Sequence, residues 1–546
     1  MASLSYNGYR FELFCTQAEG MLAKEMGFHW DYLKKCWWTG LVDIARVFVP
    51  WADGSAKAKF DEFNAQVNLS RATDANIVIP VPNGLSYLPF QKAGIAYAVS
   101  RPITLIADQM GLGKTIQTIG VINYDPTIKK VLVICPASLK INWGRELMKW
   151  IANKKLSGGF VYGNDFPDTD IVIINYDIVN KWRWKIDSIH WDLVIGDEIH
   201  YCKNTTSQRS RAVLGWISQS GKTSRPPIIA DRRIYLTGTP ILNRPIELWP
   251  LIRIADPEGL GSSFWGFAKT YCKAWEAPWG WDFSGCAVEK MSDLQQRLRA
   301  KFMIRRLKSE VLKDLPTKRR QIIPIPGGDR IAAVQQELLF YNQNNLELHI
   351  EEMELSRAIA EQEQVFADQQ SYKEATLGLR TANKARFDKM ASLRHATAIA
   401  KLPYVISYIV DMMEQEEKIV VFCHHRDLVE GLRKRFEGCC VVMHGGMKMP
   451  ERQQAVDRFQ NEDGVKLIIG TIGTMGEGWT LTRAAYVLFA ELDWVPGKLN
   501  QCEDRLHRIG QQESVLIHHL VFDGSLDANM AKMLVEKQEK IEAALD

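Results

Sequence analysis

An apolar run that stops at a glycine-bearing turn and restarts as a helix constrains this chain more than any other stretch. Residues 103–117 read ITLIADQMGLGKTIQ. Ile103, Leu105, Ile106 and Ala107 suit a buried parallel strand, Met110-Gly111-Leu112-Gly113 makes the turn, and Lys114-Thr115 opens the helical pattern. Strand, tight loop and helix start leave backbone N–H groups pointing out of the helix end, where an anion can sit. Gly111 and Gly113 let the backbone approach that anion with no Cβ in the way. The stretch predicts a triphosphate cradle formed by Asp108, Gln109, Met110, Gly111, Leu112, Gly113, Lys114 and Thr115. Lys114 would reach the β- and γ-phosphates, and the Thr115 hydroxyl would sit on Mg²⁺. Asp108 occupies the first-glycine position of the full G-x-x-x-x-G-K-[ST] pattern. Alone, the loop says nucleoside triphosphate and no more.

At 546 residues the chain exceeds one core and calls for two to four domains. Strand and helix signals alternate in two blocks. The first carries strand-like runs at Ile103–Ala107, Val131–Cys135, Ile171–Ile174, Leu193–Ile195 and Ile234–Leu236. The second has Ile419–Phe422, Val441–Met443, Leu467–Ile469, Ala485–Phe489 and Val515–Val521, with no GKT loop of its own. The expected fold class is therefore α/β, two parallel-sheet lobes with ligand at the carboxyl ends of the strands. The expected division is a small α+β N-terminal module (1–72), lobe one (73–257), a basic and helical insertion (258–400), lobe two (401–522) and a C-terminal helix (523–546). Only Gly378 interrupts a helix-forming composition from Arg330 to Leu402, which predicts a protruding pair of long helices.

Sixty-eight basic against 64 acidic residues leave a net charge of +4. So mild a surplus decides nothing about nucleic acid, which needs only a locally basic groove. One block does concentrate charge: Lys301, Arg305, Arg306, Lys308, Lys313, Lys318, Arg319 and Arg320 stand against Glu310 and Asp314. It fits a DNA-facing surface or a solvated helix face. Trp30, Trp37, Trp38 and Trp51 crowd the N-terminal module. They suit a platform for unpaired bases, with Lys34, Lys35 and Arg46 at phosphates, or a small core filled with tryptophan, the commoner use of such rings. Ten scattered cysteines without a CxxC pair argue against zinc and for reduced thiols in a cytoplasmic setting. No apolar run approaches 18 residues and no signal-peptide pattern opens the chain, so no membrane contact is expected.

Two further constellations carry chemistry. In WDLVIGDEIH (Trp191 to His200) an apolar strand delivers Asp197 and Glu198 to its carboxyl end, facing the phosphate loop. Asp197 suits a Mg²⁺ ligand, and Glu198 a base for an attacking water. His200 is placed to report the state of that site to neighbouring loops. In QCEDRLHRIGQ (Gln501 to Gln511), Arg505 and Arg508 lie three apart, on one face of an expected short helix. An always-charged guanidinium there would stabilise a transferring phosphoryl group.

These motifs, with LTGTPILNRPIELW (Leu236 to Trp249) and IIGTIGTMGEGWTLTRAAYVLF (Ile468 to Phe489), occur in one order. That ordered set resembles the Swi/Snf-type helicase-like ATPases of superfamily two. LPFQKAGIAYAV (Leu88 to Val99), CPASLKINWGREL (Cys135 to Leu147), IRRLKSEVLKDLP (Ile304 to Pro316), LRHATAIAKLPYV (Leu393 to Val405) and VFCHHRDLVEGL (Val421 to Leu432) match too. The wording leans towards the HARP-related annealing-helicase branch, and the match covers about residues 80 to 520. Gln109 departs from the family's usual acid in the phosphate loop, Gly196 precedes the acidic pair, and Trp479 replaces a smaller residue. The resemblance implies two RecA-like lobes closing on ATP and Mg²⁺, with Gln91 reading the adenine. It also implies a DNA-dependent ATPase that steps on double-stranded or branched DNA, gripping the backbone near Ser138, Lys140, Thr471 and Trp479. A strand-separating helicase and an ATP-gated DNA scaffold stand as the rival readings. The compact chain fits a bacterial or viral repair or replication role, or a nuclear one in a eukaryote.

Overall fold

The computed structural model describes residues 2–205, 207–217, 224–238, 244–277, 280–283, 285–326, 331–343, 370–414, 417–476, 478–493 and 496–531. At the N-terminus β1 (Ser3–Tyr6), β2 (Phe11–Phe14), β3 (His29–Asp31) and β4 (Cys36–Thr39) form an antiparallel sheet in the order β1-β2-β4-β3. Its core is Leu4, Phe11, Leu13, Phe28, Phe48 and Phe60, with Trp37 and Trp51 packed at its margin and Trp30 38% exposed. Phenylalanine, not tryptophan, fills this module. The helix Gly54–Ser70 then packs on Met291–Lys301. Asp53 caps it by accepting from the Ala56 N–H at 2.9 Å.

Lobe one is a parallel sheet built on β5 (Ile103–Ile106), β6 (Val131–Cys135), β7 (Gly158–Phe160), β8 (Ile171–Asn175) and β9 (Leu193–Asp197). A ribbon of β10 (Trp216–Ile217) and β11 (Ser224–Arg225) stands outside it. It also includes β12 (Arg232–Leu236), and after a second ribbon, β13 (Trp275–Ala277) with β14 (Gly280–Asp282), it takes in β15 (Met303–Ile304). The order is β15-β5-β12-β9-β6-β8-β7. Every residue of β5, β6 and β9 is buried, the signature of a sheet covered on both faces. At about 1.5–3 kcal/mol per buried Val, Ile or Leu, these central strands hold the lobe together.

Lobe two repeats the plan with β16 (Lys318–Ile325), β17 (Ile419–Cys423), β18 (Cys440–Met443), β19 (Leu467–Thr471), β20 (Tyr486–Phe489) and β21 (Val515–Phe522). All its strands run parallel, in the order β16-β21-β20-β17-β19-β18. The expected α/β class with two parallel-sheet lobes is thus the observed one. The boundaries of the insertion need correcting. Met303–Ile304 pairs with β5 and Lys318–Ile325 pairs with β21, so both sheets draw a strand from the region expected to be an insertion. What remains between β16 and β17 includes the helices Ala332–Gln343 and Gln370–Met413, which pack on each other. The expected C-terminal helix reaches Met530, buried on lobe two, and from residue 532 lies outside the described residues. Asp388–Met413 is apolar enough to span a bilayer by composition. Its Met390, Leu393, Ala398, Val405 and Ile409 are instead buried in the protein. All ten cysteines are free thiols.

Candidate active site

The phosphate loop follows β5 and folds as its glycines require. Gly111 (φ +85°) and Gly113 (φ +75°) are left-handed, and Gly113 caps the helix Lys114–Tyr124. Lys114 Nζ turns back on its own loop and donates to the Asp108 carbonyl at 3.0 Å. Burial lowers the Lys114 ammonium below its ordinary pKa, and Glu198, Asp108 and Asp197 work against that. Thr115 is half-buried beside it on the first turn.

β9 delivers the acidic pair. Asp197 Oδ2 accepts from the indole Nε1 of the buried Trp143 at 2.7 Å, and its carbonyl accepts from Tyr176 Oη at 2.7 Å. Burial and the neighbouring Glu198 push the Asp197 carboxyl up to about 7. Glu198 sits at φ +52°, a left-handed conformation that costs a non-glycine residue about 1–3 kcal/mol and is concentrated at functional sites. Burial would raise its carboxyl, but His200, Lys114 and Arg505 outweigh burial and hold it below its usual range. His200 Nδ1 lies 3.2 Å from Glu198 Oε2, an ion-pair distance at an angle that leaves the buried oxygen without a hydrogen bond. The same ring nitrogen is 3.3 Å from Thr237 Oγ1, which ties the acidic pair to the end of β12.

Lobe two closes the other side. Arg505 and Arg508 occupy consecutive turns after the helix Pro496–Glu503, rather than a face of it, because hydrogen bonds from Arg505 N to Cys502 O and from Arg508 N to Leu506 O break the helical ladder. They reach the loop nonetheless. Arg505 Nη2 is 3.7 Å from Met110 Sδ, and a Cβ added at Gly111 would come within 2.7 Å of Arg508 Cβ. Burial and the adjacent Arg505 pull the Arg508 guanidinium down to about 10. Two crowded cations on one wall, and a buried carboxylate oxygen with no donor on the other, fit a polyanion with a divalent cation. Thr115 and Asp197 are placed to hold the cation, Lys114 and the loop amides the anion.

Other expected site residues are committed elsewhere. Gln91 is buried, with Oε1 accepting from Leu88 N at 3.0 Å and Nε2 donating to the Leu112 carbonyl at 3.4 Å, so it braces the loop. The Asp108 carboxylate turns inward to Arg306, with Nη2–Oδ2 at 2.5 Å and Nε–Oδ1 at 3.0 Å. Arg305 and Arg306, read as DNA contacts, are a correction: both are buried. Arg305 donates to the Ala107 carbonyl at 3.1 Å, and Arg306 also binds Gln117 and the Phe90 carbonyl. Lys140 is likewise buried, donating to the Val161 carbonyl at 2.6 Å over the Tyr162 ring. Trp479 is buried with Nε1 on the Thr474 carbonyl. Of the expected track contacts, Ser138, in the turn Ala137–Leu139 after β6, and Thr471, at the end of β19, are half-buried. The two ends approach each other where Gly478 (φ +73°) meets Leu139, and a Cβ there would come within 1.9 Å. Trp143 lies inside the CPASLKINWGREL stretch, where nothing local marks it as the donor to Asp197.

A phosphate loop and acidic pair on one parallel-sheet lobe, with an arginine pair on a second, define a two-lobed nucleotide-hydrolysing core. The chain belongs to the SNF2-related family: the SNF2-related domain matches residues 90–386, and the helicase conserved C-terminal domain matches 400–510. Among curated relatives, the Xenopus laevis SWI/SNF-related matrix-associated actin-dependent regulator of chromatin subfamily A-like protein 1 is 33% identical over 459 residues, 82% of this chain and 43% of that protein. Human DNA annealing helicase and endonuclease ZRANB3 is 34% identical over 474 residues, 83% of this chain and 40% of that one. The chain thus spans less than half the length of these relatives. A solved Sulfolobus solfataricus SWI2/SNF2 ATPase core in complex with dsDNA aligns over 85% of this chain and 94% of its own, at 21% identity and a TM-score of 0.39.

Proposed function

We propose that the chain is an ATP-dependent double-stranded DNA translocase that remodels or re-anneals branched DNA. The observation that carries the reading is the split pocket, with the orphaned Glu198 Oε2 and Lys114 on one lobe and Arg505 and Arg508 on the other. Lys114 and the loop amides bind the triphosphate; Thr115 and Asp197 would hold Mg²⁺, which would supply charge neutralisation at the phosphate oxygens. Trp143 keeps the Asp197 carboxylate in place through its indole N–H. Glu198 accepts a proton from a water attacking the γ-phosphorus as the bond to the β–γ bridging oxygen breaks, giving ADP and phosphate. Arg505 and Arg508 stabilise the charge on the transferring group only when the lobes are closed, so each turnover is coupled to interlobe movement. The relatives' names, DNA annealing helicase, support DNA as the substrate and re-annealing as the outcome. Ser138 and Thr471 supply a sequence-independent backbone grip.

Measuring phosphate release with duplex, forked, single-stranded and RNA cofactors tests this reading. Duplex and forked DNA should stimulate most, and stimulation by RNA alone would overturn it. Glu198→Gln should lower turnover about 10²–10⁴-fold while nucleotide still binds. Full activity in that variant would instead favour a scaffold that merely holds ATP.

A further inference from the structure

One short stretch touches both halves of the split pocket. Lys308 opens the helix Lys308–Val311 in the connection between β15 of lobe one and β16 of lobe two. Its backbone N–H donates to Gln109 Oε1 at 2.8 Å, and Gln109 N–H donates to the Arg306 carbonyl at 3.0 Å, so the start of this helix is stitched to the phosphate loop. Its stem lies against Gly111, where an added Cβ would stand 3.3 Å from Lys308 Cε. Its buried ammonium crosses to lobe two, donating to Asp504 Oδ1 at 2.8 Å and to the His507 carbonyl. Asp504 and His507 flank Arg505 and precede Arg508 in the same turn.

Lobe two holds that turn on its other side with its own charges. Lys318 lies 2.8 Å from Glu503 and 3.4 Å from Asp504, and Arg320 pairs with Glu503 at 2.6 Å, both cations on β16. The contacts of Lys318 and Arg320 lie within lobe two and survive its separation from the loop. The Lys308–Asp504 contact does not. When the loop and the turn part, Lys308 must be carried into water or leave the loop, and Asp504 loses one of its two cations. A desolvated, directional ion pair is sensitive to small displacements, because its energy depends on geometry and on exclusion of water.

We propose that Lys308 is a positioning residue for the arginine pair, an interlobe latch whose ammonium seats the Asp504–Arg508 turn over Gly111 in the closed state. It touches neither substrate nor reacting atoms. It sets whether Arg505 and Arg508 are in register with the phosphate loop, and its release accompanies lobe opening. The inference rests on the proposed role of the arginines, so the test separates the two.

The full chain is compared with Lys308→Met, Asp504→Asn, the double variant and Arg508→Ala. Readouts are kcat and KM for ATP under saturating duplex DNA, the Kd of a fluorescent ATP analogue, and the change in radius of gyration on adding a non-hydrolysable analogue. Lys308→Met and Asp504→Asn should each lower kcat about 10–100-fold, with nucleotide Kd within about twofold and the nucleotide-induced contraction reduced. The double variant should be no worse than the poorer single one, because both remove the shared Lys308–Asp504 contact, and Asp504→Asn, which also loosens Lys318, sets the floor. Wild-type kcat in Lys308→Met alongside an inactive Arg508→Ala would overturn the latch and spare the arginine assignment. Wild-type turnover in Arg508→Ala would overturn the assignment itself. Multiplying losses in the double variant would also overturn the latch, as would a weakened nucleotide Kd with kcat retained. Should Lys308→Met fail to fold, Asp504→Asn, nearly isosteric and approached from the other lobe, decides by the same readouts.

Discussion

The two lobes share a parallel-sheet plan and differ in how they treat charge at the cleft between them. In lobe one the Asp108–Arg306 pair behind the phosphate loop is satisfied, and the groups on its open side are less so. Glu198 Oε2 has only the poorly aligned His200 ring nitrogen at 3.2 Å, burial and Glu198 push the Asp197 carboxyl up, and Lys114 donates back to a carbonyl of its own loop at 3.0 Å. In lobe two the corresponding acids are saturated. Glu503 is clasped by Lys318 and Arg320 and held down at about 2, and Glu491 accepts from both the backbone and the ring of His425 and is also held at about 2. Lys401 is enclosed by Asp527 and two carbonyls. Incompletely satisfied groups wait for a ligand, whereas satisfied networks fix geometry. On the proposed reading, one lobe is the receptor for the nucleotide and the other the mount for two cations.

Four measurements bear on that contrast, taken from the largest effect downward. Arg508→Ala should cut kcat about 10³–10⁵-fold with ATP binding by lobe one retained, the span expected for a guanidinium acting on a transferring phosphoryl group. Equal loss of binding and turnover would mean that lobe two is part of the receptor. Arg306→Met leaves Asp108 buried and unpaired, and should destabilise lobe one by about 3–5 kcal/mol without changing the salt dependence of DNA binding. A flattened salt slope would restore Arg306 to the DNA surface.

The third measurement is acid sensitivity. Burial lowers the His519 imidazole from 6.5 to about 4, with its ring stacked on Phe489 at 4.9 Å. Between those values the unfolded chain binds the proton and the folded lobe does not, so stability falls as pH drops from about 6.5 to 4. The contribution is up to about 3 kcal/mol. His519→Phe should remove that part of the acid loss in thermal denaturation, and an unchanged profile would place the acid weakness elsewhere. Smallest is Asp457→Asn, which breaks the exposed interlobe pair with Arg145 at 3.4 Å. Half-exposed pairs contribute about 0–1 kcal/mol, so turnover should move by less than about fivefold. A larger loss would show that this lip, and not only the buried turn, aligns the lobes.

Much of this architecture was legible from local pattern. Continuous apolar runs located the central strands of both sheets to within a residue or two, and the GKT and DEIH stretches fell at strand ends as parallel-sheet physics requires. Weak local signals hid the rest. β7 reads Gly-Gly-Phe and β15 has two residues, so neither carries a period. β16 begins Lys-Arg-Arg and looks like part of a basic block, although Lys318 and Arg320 answer the buried Glu503, 185 and 183 residues away. Arg306–Asp108 and Lys308–Asp504 span comparable separations, 198 and 196 residues. A charge run shows how many cations a segment holds, and only the folded chain shows which are already spoken for. Trp143 illustrates the converse, an apolar-looking ring that proved to be a hydrogen-bond donor to the key acid.

The 44-residue helix Gln370–Met413 joins lobe two between its first and second strands and is anchored there by its C-terminal portion. At 1.5 Å per residue it is about 66 Å long, more than a domain's width. Buried residues anchor it from Met390 onward, so about 30 Å lies beyond the anchored part, and a swing of roughly 10° about that point would sweep its start through roughly 5 Å.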